Sequence, residues 1–173
     1  CDYNQTKAAT IAIAEHNGPV YLRFGRPKVP NFSPENQSFE IGKAICLNEG
    51  KDVSIFATGH LVWEAMEAQK ALEEQGISAE IINIHTIKPL DEKAILESVA
   101  KTKCVVSAEE HMLNGGLGDS IAQCLSRNNP TPIEMVGVND TFGESGKPKE
   151  LMAKYGLDSH SIVKAALKVV KRK

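Results

Sequence analysis

Two arginines in a short stretch of the sequence have the chemistry of an anion-binding site. Arg23 and Arg26 belong to the segment Arg23-Phe-Gly-Arg-Pro27. A planar guanidinium binds a carboxylate or a phosphate through two parallel N–H donors, and Gly25 would let the backbone pass close to a ligand. The segment therefore predicts an oxyanion site. Surface arginines that pair across a domain boundary explain the same residues equally well.

Histidines and carboxylates follow several of the predicted strands. If the sheet is parallel, the carboxyl ends of its strands meet at one edge, where α/β proteins bind ligands. Two carboxylates beside a histidine could transfer protons or hold a metal ion. We favour the alternative that these residues cap helices and pair at a domain contact, because the spacing of the histidines does not place them on one metal. The residues are Thr58-Gly59-His60, His85-Thr86, Glu109-Glu110-His111 and Asn139-Asp140.

A glycine-rich stretch, Asn114-Gly-Gly-Leu-Gly118, opens a predicted helix. Free amides at a helix N-terminus attract phosphate. However, the dinucleotide-binding pattern G-x-G-x-x-G is incomplete, since Ile121 stands where its last glycine belongs. We therefore expect a tight strand-to-helix turn, in which the glycines permit close packing.

These candidate residues are positioned by apolar runs that alternate with helical patterns from about Phe39 onward. Such alternation predicts an α/β fold, a three-layer sandwich in which a mainly parallel sheet carries helices on both faces. The predicted strands are residues 53–58, 79–84, 104–108 and 133–138, with residues 41–47 as a further edge strand. The predicted helices are residues 61–75, 91–101, 117–126, 147–155 and 159–171.

The residues that precede this pattern form a short separate unit. Apolar residues between positions 8 and 13 predict a helix that ends before the turn signal Asn17-Gly18-Pro19, and residues 20–24 (VYLRF) predict a strand. One helix and one strand cannot bury a core by themselves. We therefore expect residues 1–26 to be the end of a preceding domain, and the chain, which starts at Cys1, to be a piece of a longer protein.

Closely spaced prolines separate this unit from the rest of the chain. Proline fixes φ and removes a backbone donor, so that Pro27, Pro30 and Pro34 exclude a helix or a central strand. We expect an extended linker over residues 27–40 and one main domain over residues 41–173.

The composition excludes several classes of function. The chain has 173 residues, of which 42% are hydrophobic and 24% charged, enough for one good core. A net charge of -2 and a pI near 6.2 argue against a surface for nucleic acid or anionic membrane. No apolar run approaches the length of about 18 residues that a membrane span needs.

The cysteines are widely spaced and form no CxxC pair. Cys46 and Cys104 lie in apolar runs and Cys124 lies on an apolar helix face, so that we expect buried, reduced thiols at these positions. Reduced thiols fit a cytoplasmic location.

Several segments, in order along the chain, resemble transketolases. Residues 18–27 (GPVYLRFGRP) resemble the end of the pyrimidine-binding domain, particularly in transketolases encoded as two separate halves. The likeness extends over essentially the whole chain. The segments that resemble the C-terminal domain are residues 86–91 (TIKPLD), 109–111 (EEH), 115–118 (GGLG) and 141–146 (TFGESG), followed by 150–151 (EL) and 155–156 (YG).

The resemblance implies transfer of a two-carbon ketol unit from a ketose phosphate to an aldose phosphate, as in the pentose phosphate pathway. The unit is carried as a carbanion on thiamine diphosphate, and a divalent cation such as Mg²⁺ holds the diphosphate. In that family the metal motif, the cofactor-activating glutamate and the substrate-facing histidines lie in earlier segments than those matched here. The resemblance therefore implies no catalytic residue, cofactor or metal in this chain, which we expect to be inactive alone.

The resemblance also implies a mainly structural role for the matched domain. In the family this domain is an α/β fold with a mostly parallel sheet of about five strands, and it packs within a dimer. The implied partners are the N-terminal part or subunit of transketolase, a second copy in a homodimer, and sugar phosphate substrates. Neither nucleic acid nor a membrane is implied.

One functional position carries over from the family, the arginine of its Ser-Arg or Gly-Arg step, which contacts the sugar phosphate. That position is Arg26 here. Arg23 is the weaker candidate, because alternation along a strand would aim it differently. Gly25 stands where many relatives have serine, which puts in doubt only a hydroxyl contact.

The metal motif of thiamine enzymes, Gly-Asp-Gly followed by two asparagines, is not matched. Gly118-Asp119-Ser120 and Asn128-Asn129 come nearest, but serine replaces the last glycine and the gap is too short to span a strand. Asp119 also falls in the first turn of a predicted helix, where the helix dipole favours a carboxylate.

Two alternatives share most of these features. A related thiamine enzyme, either deoxyxylulose-phosphate synthase or the β-subunit of a 2-oxo-acid dehydrogenase, has the same fold, but residues 141–146 and the step Gly25-Arg26-Pro27 favour transketolase. The other alternative is a non-enzymatic module that binds a ligand at the loop edge of the sheet.

Overall fold

One five-stranded sheet organises the chain, which a computed structural model describes over residues 1–25 and 27–173. The strands lie in the order β1-β3-β2-β4-β5, where β1 is Ile45–Asn48, β2 is Val53–Ala57, β3 is Ala79–Asn83, β4 is Val105–Met112 and β5 is Ile133–Val138. Neighbouring strands are parallel except for β1, which pairs antiparallel with β3 at one edge. The predicted α/β class with a mostly parallel sheet of about five strands is confirmed.

Helices cover both faces of this sheet. They are α1 (Tyr3–Glu15), α2 (Leu61–Glu73), α3 (Glu92–Thr102), α4 (Leu117–Asn128), α5 (Pro148–Lys154) and α6 (Ser159–Val170). The second and last helices pack on one face, and α3 and α4 pack on the other, so that the predicted three layers are present. Within the described part of the chain, no helix combines the length and the apolar character that a membrane crossing requires.

The central strands are buried on both faces, as is typical of parallel strands covered by helices on both sides. Along β2, Ile55 belongs to the core beneath α2 and α6, whereas its neighbour Phe56 belongs to the core beneath α3 and α4. Both side chains are fully buried, and each burial contributes about 1.5–3 kcal/mol. The two cores together fix the sheet, whose loop edge carries the candidate residues.

Asp91 begins α3, as the sequence predicts. Its carboxylate accepts the backbone N–H of Ala94 at 3.1 Å, which caps the helix. The same carboxylate accepts the backbone N–H of Ala44 at 2.9 Å, directly before β1. Asp91 therefore joins the start of a helix to the edge of the sheet.

The N-terminal helix is tied to the proline-rich segment through Asp2. The carboxylate of Asp2 caps α1 by accepting the backbone N–H of Gln5 at 2.9 Å. It also accepts the backbone N–H groups of Phe32 and Ser33 at 2.9 and 2.7 Å and the hydroxyl of Ser33 at 2.6 Å. Burial acts to raise the pKa of Asp2, but these hydrogen bonds outweigh it and hold the pKa below its ordinary value. The division of the chain at residues 26 and 40 stays a prediction.

Two expectations from the sequence are wrong. Residues 20–24 form no strand, and Tyr21 and Phe24 are 87% and 69% exposed. A strand needs a neighbour for its N–H and C=O groups, and none of the five strands in the sheet pairs with this segment. Cys46, expected to be buried, is exposed because it lies on the edge strand β1. Cys104 and Cys124 are buried as predicted, and all cysteines are free thiols.

Candidate functional site

A cleft of about 770 Å³ lies at the carboxyl ends of β2, β3 and β4. Residues 19–25 line one side of it, and the loops that follow the strands line the other. The chain passes from β2 to β3 on one side and then crosses to β4 on the other side of β2. The cleft therefore lies where the strand order reverses, which is the usual place for a ligand in an open α/β sheet.

The side chains of His60 and Glu110 are in contact in this cleft. The Nδ1 atom of His60, at the start of α2, lies 3.0 Å from Oε2 of Glu110, near the end of β4. The two residues meet because β2 and β4 are parallel neighbours whose carboxyl ends lie side by side. The hydrogen bond from His60 outweighs the effect of burial and, with the charge of Arg23, holds the pKa of Glu110 below its ordinary value.

Residues 23–25 lie against this pair. The Nη2 atom of Arg23 donates a hydrogen bond to the backbone carbonyl of Glu110 at 3.1 Å. At Gly25 a Cβ atom would lie 2.5 Å from Cε1 and 2.6 Å from Nε2 of His60, so that any side chain there would require the imidazole ring or the backbone to shift. Gly25 thus allows close approach, as the sequence suggests, but to a histidine of the sheet edge. Arg26, the other predicted phosphate ligand, lies outside the described residues.

Glu109 caps a helix, whereas its neighbour Glu110 contacts His60. The side chain of Glu109 is buried and accepts the backbone N–H groups of Leu117 and Gly118 at 2.7 and 2.8 Å, which caps α4. A Cβ atom at Gly116 would overlap this carboxylate. The glycine-rich stretch is therefore the predicted tight turn. The carboxylate of Glu109 accepts the hydrogen bonds of the backbone N–H groups that a phosphate would need.

The remaining histidines of the predicted strand ends do not join the pair. His85 shares a hydrogen bond of 2.8 Å between its Nδ1 and the hydroxyl of Thr86, and its ring lies 4.1 Å from that of Phe39, a neighbour that sequence reasoning missed. Burial lowers the pKa of His85 to about 4, so that it is neutral near pH 7. His111 is exposed, and its Nδ1 bonds to the backbone carbonyl of Met112 at 2.9 Å.

These side chains do not fit a metal ion. Over the residues that the structure describes, ligand atoms of histidine, cysteine or carboxylate come together at Cys46, Glu49 and Glu80, away from the cleft. Lys101 already pairs with Glu49 at 3.0 Å and with Glu80 at 2.5 Å. Because an ammonium group occupies the position, a second cation there would be repelled. Asn139 and Asp140, which follow β5, are exposed.

Asp119 and Asn128 do not form the metal motif of thiamine enzymes either. The carboxylate of Asp119 accepts the backbone N–H of Gly115 at 2.6 Å, and the side-chain amide of Asn128 donates to the carbonyl of Cys124 at 2.9 Å. Both side chains are engaged in local contacts at opposite ends of α4. Nor can the turn before α4 hold a diphosphate, since the buried carboxylate of Glu109 would repel it.

Comparison with known proteins gives a consistent result. The family described as "Transketolase, C-terminal domain" matches residues 42–162. The chain is 48% identical, over 172 residues, to the "6-deoxy-6-sulfo-D-fructose transketolase subunit SqwH" of Clostridium sp. (strain MSTE9). The aligned region covers 99% of this chain and 53% of that protein. It thus spans about half the length of this relative. A "1-deoxy-D-xylulose-5-phosphate synthase 1" of Geobacter sulfurreducens is less similar, 35% identical over 95% of this chain and 26% of that protein.

A solved structure agrees along nearly the full length. It is described as "Split gene transketolase, inactive beta4 tetramer" and matches with a TM-score of 0.96 and 44% identity, covering 99% of this chain and 56% of that chain. The match includes residues before the main domain as well as the sheet itself.

Proposed function

Because the chain belongs to the transketolase family and corresponds to the C-terminal part of its members, we propose that it completes an enzyme that transfers a two-carbon ketol unit between sugar phosphates. The observation that carries the proposal is the identity, over nearly the whole chain, with a protein named as a transketolase subunit. A deoxyxylulose-phosphate synthase is the second candidate, but the relative of that name is less similar.

Thiamine diphosphate and Mg²⁺ are proposed to bind to residues that the N-terminal part or subunit supplies. The described residues do not fit this cofactor, because the free amides before α4 already bind the carboxylate of Glu109 and Asp119 is engaged by Gly115. No step of the reaction is therefore assigned to a side chain of this chain. Its main role is proposed to be structural.

Exposed apolar side chains support the proposal that a partner binds to this chain. Tyr21 and Phe24 line the cleft and are 87% and 69% exposed. On α1, Ile11 is 56% exposed. Exposed apolar groups of this size are typical of an interface. We propose that the N-terminal part of the enzyme covers them, and that two copies of the main domain form the homodimer. The printed description of the solved relative, an inactive tetramer of β chains, favours both self-association and inactivity of the isolated chain.

Arg26 is proposed to bind the phosphate of the sugar substrate, with Arg23 as a second contact. The position of Arg23 on the rim of the cleft supports an anion site there. A guanidinium also binds a sulfonate, and the relative from Clostridium is named for a sulfo-sugar. Sugar phosphates and sugar sulfonates should therefore both be assayed. A cytoplasmic location is proposed from the free thiols.

Reconstitution tests the proposed function. We expect ketol transfer when the purified chain is mixed with its N-terminal counterpart, thiamine diphosphate and Mg²⁺, and no turnover from the chain alone. Turnover by the isolated chain, or none in the mixture with any sugar phosphate or sulfonate, would contradict the proposal.

The phosphate contact is tested by Arg26→Ala in the reconstituted enzyme. Loss of a hydrogen bond to a charged group should weaken the transition state for phosphorylated substrates by about 1.5–3 kcal/mol, which is roughly 10- to 150-fold in kcat/KM. An unphosphorylated acceptor should react nearly as before. Arg127→Ala is the matched control, because that exposed arginine lies on α4 and contacts Glu92. Equal losses on both kinds of acceptor would rule out the phosphate contact.

A further inference from the structure

We propose that His60, held by Glu110, is a positioning residue for the Gly25-Arg26 step, so that the C-terminal domain controls how tightly the anionic end of the substrate is bound. This inference rests on the proposed role of Arg26. It assigns to the C-terminal domain a part in substrate recognition, although none of its side chains need touch the substrate.

The first argument is the rigidity of the support. Glu110 lies on β4, whose preceding residues pair with both β2 and β5. His60 begins α2, whose apolar side chains are in the core. The imidazole is 16% exposed and is oriented by the 3.0 Å contact between its Nδ1 and Glu110. A side chain locked between a central strand and a packed helix is a precise support for a neighbouring group.

The second argument is that residues 19–25 lack support of their own. They belong to no helix and pair with no strand of the sheet. Their described polar contact with the sheet edge is the hydrogen bond from Arg23 to the carbonyl of Glu110. Gly25 also lies beside the Cε1–Nε2 edge of His60, where a Cβ atom would be 2.5 Å from the ring. The pair of His60 and Glu110 therefore supports the backbone at residues 23–25.

The third argument is the absence of a side chain at position 25. A Cβ atom there would lie 2.5 Å from the ring, closer than van der Waals contact allows, so that the backbone at Gly25 packs closely on His60. Displacement of the ring would therefore remove the support on which Gly25 rests. Misplacement of a binding group by about 1 Å can cost roughly 100-fold in rate.

The experiment uses the reconstituted enzyme and measures kcat and KM for a phosphorylated and an unphosphorylated acceptor. His60→Ala should raise the KM for the phosphorylated acceptor roughly 10- to 100-fold, with a much smaller change in kcat and little change for the other acceptor. His60→Asn, whose amide nitrogen can replace Nδ1 toward Glu110, should recover part of this loss. His160→Ala, an exposed histidine on α6, is the control and should behave as the wild type.

A double-mutant cycle tests the contact itself. Gly25→Ala should raise the same KM because its methyl group meets the imidazole, and the combined change of Gly25→Ala with His60→Ala should cost less than the product of the single effects. Effects that multiply independently would overturn the inference.

Amide hydrogen exchange of the 173-residue chain separates the possible outcomes. Exchange in residues 20–25 should be faster in His60→Ala than in the wild type, while exchange in the central strands should be unchanged. If Arg26→Ala raises the KM for phosphorylated acceptors but the His60 variants do not, the positioning role is wrong and the proposed function stands. If Arg26→Ala has no selective effect, the phosphate contact and the positioning role both fall.

Discussion

Replacement of Glu109 by alanine is expected to destabilise the fold. The change removes the acceptor of the backbone N–H groups of Leu117 and Gly118, which donate to it at 2.7 and 2.8 Å. A hydrogen bond to a charged group contributes about 1.5–3 kcal/mol, and a carboxylate at a helix N-terminus about 0.3–1 kcal/mol. Because water can enter part of the vacated space, we expect a net loss of about 2–4 kcal/mol.

Urea unfolding followed by circular dichroism measures this loss directly. Glu73→Ala is the matched control, because Glu73 is an exposed carboxylate on α2, and its removal should cost less than about 0.5 kcal/mol. If both variants unfold at the same urea concentration, the capping role of Glu109 is wrong. A stable Glu109→Ala chain that has lost ketol transfer in the reconstituted enzyme would instead favour an acid–base role.

Gly116 supplies an independent check on the same contact. A methyl group at this position would overlap the carboxylate of Glu109, so that Gly116→Ala should cost about 1–3 kcal/mol in the wild-type chain. In the Glu109→Ala background the cost should be clearly smaller. Additive losses would show that the two residues do not interact.

Three further perturbations test other parts of the structure. Asp2→Asn should lower the free energy of unfolding by about 1–3 kcal/mol at pH 7. Because the pKa of Asp2 is lowered, this contribution is present above about pH 4 and disappears as the pH falls through the lowered pKa, and a gap that does not shrink on acidification would contradict it. Lys101→Met leaves the buried carboxylate of Glu80 without its ammonium partner and should lower the free energy of unfolding by about 1–3 kcal/mol. Adding Glu80→Gln to the same chain should restore most of this loss. A melting temperature that Lys101→Met leaves unchanged would refute the pairing. Iodoacetamide should label exposed Cys46 in the folded chain but buried Cys104 only after unfolding, as mass spectrometry can show; equal labelling would be inconsistent with the fold.

The core of the fold could be predicted because it depends on local patterns. Residues 53–57 (VSIFA) and 79–83 (AEIIN) are short runs with an apolar centre, and a parallel sheet covered on both faces buries both runs completely. Residues 20–24 have an equally strong strand pattern but form none. The pattern shows that residues can pair, and whether they do depends on a neighbouring strand, which sequence periodicity does not reveal. Cys46 illustrates the same limit, because the amino-acid composition of β1 does not show that this strand lies at the edge of the sheet, where its side chains are less covered.

The candidate site could be predicted as a set of residues but not as a set of contacts. Glu109 and Glu110 are adjacent, yet alternation along β4 sends one carboxylate toward α4 and the other toward His60. That division could have been inferred from the period of two. The contact of His60 with Gly25 could not, because it depends on the strand order and on the path of a segment without regular secondary structure.

The packing of Gly25 on His60 also has a consequence for evolution. Serine, which many transketolases carry at the position of Gly25, would bring its Cβ atom to 2.5 Å from the imidazole. A family member with serine there would need a smaller side chain at position 60, a rotated one, or a shifted backbone. Across an alignment of the family, the two positions should covary, although 35 positions separate them in sequence. Grafting either residue alone from a relative would then be harmful, and exchanging both together would be tolerated.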